Sequence, residues 1–148
     1  MKLNNWQKNA LSVIVIAVVG FILFNVAFLL AAIVINGIGM LTGGRQPTFV
    51  GFGVYFLLLL LLSWLVFRSK LSHLVKATYL TMPLMAVLIM EGVILYQQPQ
   101  WMPLTFGAVI CGAILFYIYR KKLPWFYYFS VLYVAALALY VVIAGIEI

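Results

Sequence analysis

NALSVIVIAVVGFILFNVAFLLAAIVINGIGMLTGG, residues 9–44, carries no charged side chain. A helix rising about 1.5 Å per residue crosses about 30 Å of hydrocarbon in roughly 20 residues, so this stretch can span a bilayer with length to spare. The basic start that precedes it, with Lys2 and Lys8, is like that of a secretory signal. The uncharged run, however, goes far beyond the roughly 7–15 residues of a signal core. The stretch therefore predicts a first membrane span over about residues 10–35, followed by a Gly-rich loop, NGIGMLTGGRQPT.

Composition extends this reading to the whole chain. Of 148 residues, 68% are hydrophobic and 7% are charged, with 9 basic and 2 acidic side chains. A soluble domain carries about 25% charged residues. So few charges cannot cover a wettable exterior, and the solvent implied is lipid. The net charge of +7 does not point to nucleic acid, because the cations lie between apolar runs and form no groove-sized patch. Cys111, the single cysteine, excludes an intramolecular disulfide and reads as a buried thiol in an apolar run.

Four further segments qualify as spans, at about 50–67, 74–96, 103–119 and 124–145. The expected fold is all-α, one polytopic domain over residues 1–148, packed as a compact bundle of five transmembrane helices. No linker is long enough to hide a soluble domain. Lys2, Lys8, Arg68, Lys70, Lys76, Arg120, Lys121 and Lys122 fall at one set of ends, and Arg45 alone falls at the other. By the positive-inside rule the N-terminus is cytoplasmic and the C-terminus extracytoplasmic, in a membrane read as the bacterial cytoplasmic one. Trp6, Trp64 and Trp125 near inner boundaries and Trp101 near an outer one suit an interfacial belt. Arg120, Lys121, Lys122 and Trp125 are the expected contacts for lipid headgroups. FRSKL (67–71) and YRKKL (119–123), 52 residues apart, raise the reading of two related hairpins, although basic inner loops produce the same echo without duplication.

Within the spans, one residue stands apart. MAVLIMEGVILY, residues 85–96, sets Glu91 in an apolar run, and the only other acid is Glu147. Six residues outward of a span middle near Met85, Glu91 lies about 9 Å from the midplane. Ionised in lipid it would be costly, so it either faces the bundle interior or a wet vestibule, or keeps its proton. Arg45 from the outer loop, Asn25 and Asn36 on one stripe of the first span, and Tyr133 and Tyr140 on the last are its candidate companions. The last span carries Phe126, Ser130, Tyr133, Leu137, Tyr140 and Ala144 at alternating steps of four and three, a predicted inward seam. Gly107, Ala108, Cys111 and Gly112 form a small-residue face suited to close helix contact. Pro83 is expected to bend the third span, with Thr78 and Thr81 satisfying the carbonyls it frees.

Many chemistries are excluded. The chain has no aspartate, so carboxylate dyads would need Glu91 and Glu147 to meet. There is no zinc-ligand spacing and no phosphate-binding glycine pattern. Ser72 and His73 are adjacent on a helix, about 100° apart, and make a poor nucleophile–base pair. The expectation is a noncatalytic membrane protein, without cofactor or metal, that binds or transports a small solute, ion or lipid. It would do so through an outward-facing polar pocket made by Glu91, Arg45, Asn25, Asn36, Tyr133 and Tyr140, roofed by Gln97, Gln98 and Gln100. Membrane lipids, a second copy or another membrane protein are its expected partners. The alternatives are an accessory subunit docking a larger membrane complex, and a lipid-acting enzyme with Glu91 as general base.

Overall fold

The computed structural model describes residues 4–41, 43, 48–95, 98–99 and 101–143. Those residues form five α-helices and no strand: α1 (Asn5–Leu41), α2 (Thr48–Arg68), α3 (His73–Ile94), α4 (Trp101–Arg120) and α5 (Trp125–Ile143). Among the described residues, α1, α3, α4 and α5 are long and apolar enough to cross a membrane. α2 is likewise apolar over Gly53–Arg68.

The helix ends follow from local chemistry. At the start of α1, the Asn4 side chain accepts from the Asn5 N–H at 2.7 Å, and Gln7 reaches back to accept from the Asn4 N–H at 2.9 Å. This reciprocal cap starts the helix earlier than residue 10. At the other end α1 runs through Asn36–Leu41, which the sequence suggested as loop. Gly37 and Gly39 lower helix propensity, but nothing there removes a backbone donor, and the first proline comes only at Pro47. The 37 residues of α1 make it about 55 Å long.

Ser72 caps α3, its hydroxyl accepting from the Val75 N–H at 3.4 Å. Lys76 Nζ donates to the Phe67 carbonyl at 2.9 Å, satisfying an orphan acceptor at the end of α2. The α4–α5 turn closes differently. Leu123 N–H donates to the Ile118 carbonyl and Lys122 N–H to the Tyr119 carbonyl, each at 3.1 Å, with Lys122 at φ 51°. This is a Schellman cap with lysine in the left-handed position that glycine usually fills. The two basic turns therefore share their charge pattern but not their backbone.

The least apolar helix takes the centre. α3 packs against all four others and buries a larger share of itself than α1, α4 or α5. Its hydroxyls and carboxyl would each carry a desolvation cost against lipid, so they face protein instead. One core joins α3 to α4 and α5 through Ala77, Leu84, Met85, Cys111, Ile118, Tyr127, Val131 and Val134. A second joins it to α1 and α2 through Ala27, Tyr55, Leu59, Met82 and Ala86.

Small residues and hydroxyls set the crossings. Gly20 of α1 rests on Thr81 of α3, where even a methyl group would collide with the threonine side chain. Buried Ser130 of α5 lies 2.7 Å from the Ala77 carbonyl of α3 and 2.9 Å from its own Phe126 carbonyl, sharing one proton between them. Tyr55 donates to the Ala27 carbonyl at 3.1 Å, tying α2 to α1. Pro83 lies inside α3 and leaves the Tyr79 carbonyl without its helical donor. Thr78 and Thr81 do not bond that carbonyl, as the sequence suggested. They donate to the carbonyls of Leu74 and Thr78, at 2.9 and 2.7 Å.

Candidate functional site

Near their starts, α3 and α5 are held together by the Ser130–Ala77 bond and by His73 against Tyr127, whose ring nitrogen and hydroxyl lie 3.4 Å apart. Further along they separate, and a cavity of about 410 Å³ opens between them. Phe21 and Phe24 of α1 close one side and Pro103, Leu104, Gly107, Ala108 and Cys111 of α4 another. Among the described residues α1 and α4 do not pack on each other, so the cavity occupies the space between them.

The walls are apolar with one exception. Met85, Leu88, Ile89 and Gly92 of α3 and the Val134–Val142 stretch of α5 supply hydrocarbon, and Glu91 supplies the one ionisable carboxyl. α3 places it one turn before its end, on the face toward α4. There the side chain lies against the bare backbone of Gly107: a Cβ at that position would sit 3.5 Å from Glu91 Oε2 and from Leu88 Cδ2. Oε1 is buried and has no hydrogen-bond partner among the described residues. A buried acceptor without a donor is disfavoured by about 1–3 kcal/mol, and more when charged. No cation lines the cavity among the described residues.

Of the small residues of α4, Gly107 lies against Glu91 and Leu88 of α3, Cys111 joins the core, Gly107, Ala108 and Cys111 line the cavity, and Gly112 faces open space. Cys111 is buried, as its apolar run suggested, and shares the cavity wall with Glu91.

The companions suggested for Glu91 are elsewhere. Asn25 is exposed, and its amide donates to the Phe21 carbonyl one turn back at 2.8 Å, so its polar group is satisfied without facing the bundle. Asn36 is exposed on the far part of α1. The Tyr133 hydroxyl donates to the Ala17 carbonyl of α1 at 3.3 Å, a tie between helices outside the cavity lining. Tyr140 is 64% exposed and points away. Arg45, Gln97, Gln100, Ala144 and Glu147 lie outside the described residues, and Gln98 is exposed. Among the described residues, then, the cavity is apolar with one carboxyl, and Asn25, Asn36, Tyr133 and Tyr140 do not line it. Sequence periodicity gave no sign of Phe24, Leu88, Val134 or Ala138 as its walls, because helices apolar all round show no preferred face.

At the opposite end, Arg120, Lys121, Lys122 and Trp125 are exposed. Ser72 and His73 are engaged as a helix cap and a tyrosine partner, which leaves them no nucleophile–base arrangement. No group of three or more His, Cys, Asp or Glu gathers for a metal among the described residues. The class these observations define is an all-helical chain with several helices compatible with a membrane. The chain matches no family model, no curated protein and no solved structure.

Proposed function

We propose that this chain is a five-span protein of the bacterial cytoplasmic membrane, N-terminus inside and C-terminus outside, that binds a small, largely apolar molecule beside Glu91. The observation that carries the reading is the cavity of about 410 Å³ with hydrocarbon walls and one buried carboxyl oxygen that has no partner among the described residues. Its volume lies within the roughly 300–1,000 Å³ of small-molecule sites, which are mostly apolar with a few polar groups that fix orientation. A carboxyl kept at such depth in a lipid-facing bundle is a functional candidate by default. The cation distribution supports the sidedness, because the turns carrying Arg68, Lys70, Arg120, Lys121 and Lys122 adjoin at the His73–Tyr127 contact.

The test is photolabelling with a diazirine-bearing octanol on protein reconstituted in phosphatidylcholine vesicles, with adducts mapped by mass spectrometry. The expected adducts concentrate on cavity residues of α3, α4 and α5, are competed by 1-octanol, and disappear when Ala138→Phe fills the cavity. Adducts spread evenly over the outward-facing residues and unaffected by Ala138→Phe would end the proposal.

A further inference from the structure

Three features of the cavity together constrain what it binds. The walls are hydrocarbon, so the body of a ligand must be hydrocarbon too. The one carboxyl on the wall has a buried oxygen, Glu91 Oε1, with no hydrogen-bond partner among the described residues. No cation among the described lining residues neutralises the carboxyl. Opposite its Oε2 lies Gly107, which presents backbone and no side chain. The described cations, Lys8, Arg68, Lys70, Lys76, Arg120, Lys121 and Lys122, lie at the other end of the bundle.

From this geometry we infer that the cavity selects a lipophilic cation: a molecule with a hydrocarbon body and a single ammonium head, bound as an ion pair with Glu91. The inference rests on the proposed ligand-binding reading and narrows it. The ammonium pairs with the carboxylate on the side that lines the cavity. Its hydrocarbon body lies along Met85, Leu88, Val134 and Leu137. Charge-assisted hydrogen bonds are the strong ones, and a desolvated site strengthens them further. A ligand with a carboxylate head gains no such ion pair there.

The way in is sideways. Phe21, Leu104 and Leu139 line the cavity and are 51%, 40% and 48% exposed, so its margin is open on an apolar surface. An amphiphile dissolved in the bilayer reaches Glu91 through this margin without crossing the basic end.

A matched series tests the head alone: octylammonium, 1-octanol and octanoate, each competing against diazirine-octanol labelling in phosphatidylcholine vesicles. For the wild-type chain, octylammonium competes at a concentration about tenfold or more below that of octanol, and octanoate is the weakest. In Glu91→Gln the advantage of octylammonium over octanol, each read against that variant's own uncompeted labelling, shrinks to within about twofold. Because the vesicles are the same, head-dependent partitioning cancels between the two proteins. Glu91→Asp, which keeps the charge, retains part of the preference and serves if the glutamine variant does not fold. Equal competition by all three heads in the wild-type chain, or an octylammonium advantage that survives in Glu91→Gln, overturns the inference and leaves the cavity reading standing. Absence of cavity labelling overturns both.

Discussion

Replacing Gly20 by larger residues probes the crossing of α1 over α3 around which the bundle is built. A Cβ at Gly20 would lie 3.1 Å from both Cβ and Cγ2 of Thr81 and closer still to its hydroxyl oxygen. Thr81 cannot swing away freely, since it is fully buried and donates to the Thr78 carbonyl at 2.7 Å. The added methyl group contributes about 1 kcal/mol of helix propensity to α1. Overpacking of this kind costs about 1–3 kcal/mol. The net for Gly20→Ala is therefore a loss of about 0–2 kcal/mol, rising through Gly20→Val to Gly20→Leu. Thr81→Ala removes two of the three obstructing atoms, so the double variant recovers part of the loss, with a coupling energy of about 0.5–2 kcal/mol. The assay is unfolding by SDS titration in mild-detergent micelles, followed by circular dichroism. A Gly20→Leu chain as stable as wild type, or strictly additive losses in the double variant, would refute the reasoning.

Lys122→Gly relieves the left-handed backbone at φ 51° and stabilises the chain by about 0.5–1 kcal/mol in the same titration, whereas Lys122→Val destabilises it. A loss on glycine substitution would show that the lysine side chain, not the cap geometry, governs that turn. Ser130→Ala removes the hydroxyl that ties α5 to Ala77 of α3 and costs about 0.6 kcal/mol, with about 1.7 kcal/mol as a ceiling, since membrane hydrogen bonds are individually weak. Ser130→Leu, at a site with 0% exposure, costs more because nothing can move aside. Equal stability of these two variants would contradict the tight α3–α5 packing.

The helices were legible in the sequence because lack of charge is a long-range signal that needs no partner. Predicted spans at 50–67 and 103–119 correspond to α2 at Thr48–Arg68 and α4 at Trp101–Arg120. The overrun of α1 past Ile35 was not legible, because glycines that mark loops in water are tolerated in apolar helices whose backbone bonds are all internal. Glu91 stood out as the single acid in an apolar run, and the structure places it on the cavity wall. Its surroundings could not be read from spacing. On α5 the predicted seam of Phe126, Ser130, Tyr133, Leu137, Tyr140 and Ala144 includes the buried Ser130, but the other buried residues are Tyr127, Val131 and Val134, shifted around the helix by roughly one position, and Tyr140 is exposed. Where every face is apolar, neighbouring helices choose the buried one, and hydroxyls follow available carbonyls. Asn25 shows the same limit: a polar side chain that bonds its own backbone carries no information about which way the helix turns.

The five-span account turns on α2, whose 21 residues, Thr48–Arg68, would carry the chain back across the membrane. If α2 crosses, the chain ends emerge on opposite faces. If it does not, they share one. Fusing green fluorescent protein or alkaline phosphatase to each terminus in bacterial cells reads this directly. The account predicts fluorescence from the N-terminal fusion and phosphatase activity with no fluorescence from the C-terminal one. Fluorescence from both ends would contradict it.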